Sequence, residues 1–96
     1  MRDRKAVREE LVEALGSEGK LRVLLALSEQ PNTLFTTYSI VKATGLRRQD
    51  AKKVIERLCE LGWVKQLTHG LKKYQINLEK EEVKHLLNFL RSVEAI

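Results

Sequence analysis

The sequence predicts an α+β domain that is mostly α: five helices with one β-hairpin, in a chain of 96 residues. Apolar residues recur at three- and four-residue spacing through most of the chain, which is the period of a helix buried on one side. Only after Gly62 does the period change to two, in "WVKQL" and "KKYQINL", with Thr68, His69 and Gly70 between the two runs. A single proline and a composition rich in Leu, Lys, Glu and Arg leave little else to interrupt the helices.

The elements follow in order. Arg4–Leu15 places Val7, Leu11, Ala14 and Leu15 on one helical stripe, and Gly16-Ser17 breaks it. Ser17 caps the next helix, Glu18–Glu29, with an acid in its first turn. Leu21, Leu24, Leu25 and Leu27 make that helix apolar on two sides, as a central core helix should be. "QPN" at Gln30–Asn32 ends it, and Leu34–Thr36 has the composition of a very short strand. Thr37 then caps a third helix, Tyr38–Ala43, with Ile40 and Val41 turned inward. Thr44-Gly45 turns the chain sharply. A fourth helix, Arg47–Leu61, buries Ala51, Val54, Ile55, Leu58 and Leu61 and leaves Gln49, Lys52, Lys53, Glu56 and Glu60 outside. In the hairpin, Trp63–Leu67 and Lys72–Leu78, the residues Tyr74, Ile76 and Leu78 share one face. The last helix, Glu79–Val93, carries Val83, Leu86, Leu87, Leu90 and Val93, widened by Phe89.

Charge is distributed unevenly. The window Gly45–Lys73 holds eight bases against three acids, whereas the rest of the chain holds ten of each, so the window carries the whole net charge of +5. A solvated surface intersperses its signs, and a localised basic field is the footprint of an acidic partner, most often nucleic acid. The start of the fourth helix fits this reading. A Ser, Thr, Asp or Asn would cap it, but Arg47 and Arg48 stand there and oppose the helix dipole, at a cost of about 1 kcal/mol. No apolar run approaches the roughly 20 residues of a membrane span. The amino terminus has no signal-peptide centre, so the expected location is the cytoplasm, associated with the nucleoid.

The apolar positions Ile40, Leu46, Ala51 and Val54 around Gly45 look like a helix-turn-helix. Together with "LCELGWVKQLTHGLKKYQI" after it, the chain from about Leu15 to Leu78 resembles a winged helix-turn-helix DNA-binding domain, most like the small bacterial and archaeal transcriptional regulators. The resemblance implies a three-helix core plus a β-hairpin wing at residues 17–78. To this are added an N-terminal helix (1–16) and a C-terminal helix (79–96) within one domain. It implies that Arg47–Glu60 is the recognition helix and Thr68–Lys73 the wing. At Arg47 the sequence departs from the capping Ser often found there in the family.

The expected DNA-binding residues of the recognition helix are Arg47, Arg48, Gln49, Lys52 and Lys53. Arg pairs bidentately with guanine and Gln with adenine, and lysines fix phosphates. On the wing they are Lys65, His69, Lys72 and Lys73, contacting the backbone. Trp63 and Tyr74 are read as core residues rather than as a stacking platform for single strands. Cys59, the only cysteine, is read as a half-buried hydrophobe, and His85 as having no acid partner at ligand spacing. No metal, cofactor or catalytic residue is expected, because the sequence has no cysteine pair, paired carboxylates, Gly-rich phosphate loop or nucleophile–base set. The terminal helices each keep a full apolar stripe, which suits a two-fold homodimer on a palindromic site. The expected function is sequence-specific double-stranded DNA binding by a transcriptional regulator. An architectural DNA-binding protein of low specificity and a winged-helix protein-interaction module are the alternatives.

Overall fold

A computed structural model describes residues 3–96, excepting the side chain of His69. The first two helices, α1 (Arg4–Leu15) and α2 (Glu18–Glu29), are bounded as the sequence predicts. Asp3 caps α1 by accepting from the Lys5 amide at 3.1 Å, and Ser17 caps α2 by accepting from the Lys20 amide at 3.2 Å. The third helix, α3 (Thr37–Thr44), is capped one residue earlier than expected. Thr36 Oγ1 accepts from the Ser39 amide (3.1 Å) while Ser39 Oγ accepts from the Thr36 amide (2.8 Å). This reciprocal pair satisfies two otherwise orphaned donors, which Thr37 could not do, so Thr36 wins the position.

Gly45 closes α3 in the left-handed region (φ 76°), its amide donating to Val41 O at 2.9 Å. The turn launches α4 (Arg48–Glu60) across α3 and α2. The approach to α2 is close: a Cβ at Gly19 would lie 3.3 Å from Cγ2 of Val54. The core is built from Val23, Leu24 and Leu27 of α2, Ile40 of α3 and Ala51, Ile55 and Leu58 of α4. Val54 and Leu25 are only half-buried and Leu21 is exposed, so α2 is apolar inward on one side rather than on two.

The wing is an antiparallel pair, β1 (Val64–His69) and β2 (Leu71–Ile76), turning over Gly70 at φ 83°. It is longer toward its tip than the sequence period suggests. The expected short strand at Leu34–Thr36 is reduced to one bridge, in which Phe35 and Tyr74 exchange both backbone hydrogen bonds at 2.7 Å. That bridge is enough to pin the middle of β2 to the loop before α3. Leu78 lies beyond the strand and is exposed, contrary to its expected place beside Ile76.

The last helix, α5 (Glu81–Ser92), starts two residues late. The cause is Asn77, whose Oδ1 accepts from the Glu79 amide (3.1 Å) and whose Nδ2 donates to Gly62 O (2.8 Å), holding residues 77–80 in a turn. Val83, Leu87 and Leu90 are buried, whereas Phe89 and Val93 of the expected stripe stay exposed. On α1, the Glu13 carboxylate accepts from Arg57 Nε (3.3 Å) and Lys20 Nζ (3.4 Å), which holds its pKa below the ordinary carboxylate value. A lowered carboxylate contributes stability above its unfolded pKa, and that contribution is lost as pH falls through the lowered value.

Among the described residues the buried hydroxyl of Ser28 stands out. Ser28 is 1% exposed in α2 and its hydroxyl has no hydrogen-bond partner. Removing an unpaired buried hydroxyl removes its desolvation cost. Ser28→Ala is therefore expected to stabilise the fold by about 1 kcal/mol in urea unfolding; a loss of stability would show that the hydroxyl has a partner.

Candidate nucleic-acid interface

The stripe that seats α4 also decides what it presents. With Ala51, Ile55 and Leu58 fully buried, the 100° rotation per residue turns Arg48, Gln49, Lys52, Lys53 and Glu56 outward, and all five are exposed. Arg47 occupies the N-cap with extended backbone (φ −66°, ψ 150°) and makes no side-chain cap bond. The first-turn amides of α4 consequently lack the acceptor a Ser would supply. Arg47→Ser is expected to raise stability by about 1 kcal/mol while weakening duplex affinity. Thermal unfolding and titration with duplex DNA check the two halves, and a gain in both would show that Arg47 serves no partner.

The register of the hairpin sorts the wing residues. Val64↔Ile76, Gln66↔Tyr74 and Thr68↔Lys72 lie on the face that turns toward the core, and Lys65↔Gln75, Leu67↔Lys73 and Leu71 on the other. Lys72 thus overhangs α4. It joins Arg48 and Lys52 around a concave surface whose other walls are the start of α3 at Thr37 and Tyr38 and the tip at Gly70 and Leu71. Lys73 and Lys65 are on the far face. His69 ends β1, but its side chain, expected to take part, lies outside the described residues.

Within the basic window ion pairing separates two kinds of base, although among the described residues Arg4, Lys5, Arg8, Lys42, Lys84 and Arg91 outside it are also in no ion pair. Lys20, Arg22, Arg57, Lys65 and Lys80 are each tied to a carboxylate. Lys65, expected to contact DNA, donates to Glu79 Oε1 at 2.9 Å from the root of the wing, and in return holds the Glu79 carboxyl below its ordinary pKa. Its charge is already matched. Among the described residues, Arg47, Arg48, Lys52, Lys53, Lys72 and Lys73 form no ion pair. Three of them, Arg48, Lys52 and Lys72, share the concavity with one acid, Glu56.

Tyr38 is a residue of this surface that the sequence reading passed over. It is 62% exposed in the first turn of α3, and the Lys42 ammonium sits 5.3 Å from its ring centroid. Its signal was available in the Thr-Thr-Tyr run at a helix start, but the apolar ring reads equally as core until its direction is known.

Cys59 is half-buried, and burial first, then the nearby Glu56 carboxylate, pushes its thiol up to about 11. It is therefore a poor nucleophile at neutral pH. His85 meets Glu81 Oε2 at 3.4 Å, an i,i+4 contact between two exposed side chains on the surface of α5. Among the described residues no group of three or more His, Cys, Asp or Glu is placed to hold a metal ion, and no helix is long and apolar enough to cross a membrane.

A second surface feature lies away from the basic one. Val7, Leu11 and Leu15 of α1 and Leu86 and Phe89 of α5 line a mostly apolar groove together with Trp63, Glu82 and His85. Trp63 is 1% exposed, and its indole Nε1 donates to Glu10 Oε2 at 2.9 Å. Phe89 at the groove edge is 59% exposed.

No protein-family model matches the sequence, and no curated protein does. Solved structures do match the fold. The transcriptional repressor BigR from Xylella fastidiosa superposes with a TM-score of 0.75 at 18% identity, covering 94% of this chain and 88% of that one. The homodimeric winged helix-turn-helix DNA-binding domain Mb0332 from Mycobacterium bovis, a possible ArsR-family transcriptional regulator, gives 0.70 at 24% identity, covering 98% of this chain and 87% of that one. NolR from Sinorhizobium fredii gives 0.69 at 13% identity, covering 99% and 96%. Matched over nearly its whole length, with a Gly45 turn between α3 and α4 and a hairpin after them, the chain has the winged helix-turn-helix fold.

Proposed function

We propose that this protein is a transcriptional regulator that binds double-stranded DNA sequence-specifically. The observation that carries the reading is the concave face shared by α4 and the wing, where Arg48, Lys52 and Lys72 converge without ion-pair partners. Buried ion pairs or evenly mixed charge would serve the fold; an unmatched basic concavity beside an exposed helix serves a polyanion. In this reading α4 enters the major groove. Arg48 and Gln49 read base edges, while Arg47, Lys52 and Lys53 hold phosphates. Lys72 and Lys73 anchor the wing to the adjoining backbone, and Tyr38 approaches a phosphate from the start of α3. The protein acts by occupancy, in the cytoplasm on the nucleoid, and no reaction is assigned to it.

The α1–α5 groove joins two copies. Apolar walls with an exposed Phe89 at the rim are what an interface between copies requires, and the similar Mb0332 domain is described as homodimeric. Two-fold symmetry then spaces the recognition helices for half-sites one helical turn apart, roughly 34 Å. Phe89→Glu is expected to give a monomer by light scattering and to weaken binding to a full palindrome more than to a half-site. A dimer that persists places the interface elsewhere.

Selection from a random duplex pool, followed by salt titration, tests the function. A regulator enriches a motif and keeps a specificity ratio of about 10³ or more over random duplex. Equal binding to both, with the same salt slope, would move the protein to the architectural reading.

A further inference from the structure

The tip of the wing carries a leucine where hairpins ordinarily carry polar residues. Leu71 follows Gly70 directly, opens β2, and is 67% exposed. It contributes nothing to the core, which in β2 is met by Tyr74 and Ile76. Of the other large apolar residues that are more than half exposed, Val12, Phe89 and Val93 sit on or beside the terminal helices and Tyr38 sits at the start of α3, so Leu71 alone stands within the wing. Its surroundings are cationic. Lys72 and Lys73 follow it in the chain, and Arg48 and Lys52 line the concavity at whose rim the wing tip stands, none of them in an ion pair. Leu67, 37% exposed, is its diagonal neighbour on the same strand face, so the apolar tip is a two-leucine patch bordered by Lys73 and Lys72, small for a protein partner, and a polyanion would be drawn onto the charges with the leucine at its surface.

We propose that Leu71 is an apolar wedge that enters the minor groove beside the site read by α4. This rests on the DNA-binding reading above. Leucine is one of the side chains that part a base step from the minor-groove side and kink the duplex. The geometry suits it: an extended pair of strands projects the tip, one glycine lets it turn tightly, and the lysines on either strand face hold the flanking phosphates while the apolar side chain leads. Because pyrimidine–purine steps part most easily, the wedge also supplies sequence preference at a position no polar side chain reads.

The test compares the wild-type chain with Leu71→Ala and Leu71→Lys on a duplex enriched from the random pool, and measures bend by fluorescence transfer between the duplex ends. Leu71 is exposed and unpartnered, so both variants should unfold at the wild-type temperature. Wild type is expected to bend the duplex by about 20° or more. Leu71→Ala should lose the bend and about tenfold in affinity with an unchanged salt slope, since no counterion is released by an apolar contact. Leu71→Lys should keep the affinity, steepen the slope by about 0.9 through a new phosphate contact, and still fail to bend. Pools selected with either variant should lose the preference for a flexible step at the flank. If both variants bend and select as the wild type does, the wedge is overturned while the DNA-binding reading stands. If the wild type enriches no duplex, that reading fails first and the wedge fails with it.

Discussion

The triple variant Arg48→Ala/Lys52→Ala/Lys72→Ala is expected to lose about three orders of magnitude in affinity for the selected duplex at moderate salt. Two phosphate contacts removed should flatten the log–log salt slope by about 2, and loss of a bidentate arginine contact should relax discrimination at one base pair. Stability should not fall, because none of the three side chains has an ion-pair partner to lose. The control is Lys65→Ala. That lysine is bonded to Glu79 at the wing root and faces away from α4, so it should change affinity by less than threefold or so. The pair of results separates a site from a general basic field: if charge alone mattered, Lys65 would count as much as Lys72. Wild-type affinity in the triple variant would remove the concavity as the DNA-binding face, whereas no duplex binding by the wild type at moderate salt would favour the protein-interaction module.

The second large effect is on the fold. Trp63→Ala should cost about 3–5 kcal/mol in urea unfolding, a large part of the 5–15 kcal/mol that a small domain commonly has. Trp63 is fully packed between α1, α5 and the root of β1, and its indole ties Glu10. Truncation leaves a cavity and takes one donor from Glu10, whose remaining partner is Lys80 at 3.2 Å. Trp63→Phe keeps much of the volume and loses the hydrogen bond, and should cost about 1–2 kcal/mol. A cost below about 1 kcal/mol for the alanine would mean that α1 is not docked as described.

Much of the architecture was legible because local rules and tertiary packing agree. Ser17 stands next to a clear apolar stripe and caps α2 as read, and α1 and α2 have the bounds their periodicity predicts, while the Asp3 cap of α1 comes from the structure. The Gly45 turn was legible for the same reason: few residues but glycine adopt its positive φ at a helix end. Misplacements occurred where side chains competed for the same amides. Thr36 took the cap from Thr37 by pairing with Ser39, and Asn77 held back the start of α5. A stripe cannot reveal such contests, because both outcomes bury the same residues.

The candidate site was legible only in part. Periodicity correctly put Gln49, Lys52, Lys53, Glu56 and Glu60 on the outer side of α4. On the wing it could count lysines but not rank them, since rank depends on strand register and on partners distant in sequence. Lys65 and Glu79 are fourteen residues apart and meet only because the hairpin folds back to α5. Tyr38 and Lys72 meet the same concavity only because α3 and the wing flank α4.

By itself, then, the sequence determined the order of the helices, the Ser17 cap, the period change that makes the hairpin, and the concentration of the whole positive excess between Gly45 and Lys73. These are properties of spacing and of neighbouring residues, and local physics reads them. The tertiary structure alone decided which of those charges are neutralised by distant acids, which face of the wing overhangs α4, and that Leu71 stands uncovered at its tip. The reason is that charge is a property of a residue, whereas the field it presents is a property of everything folded around it.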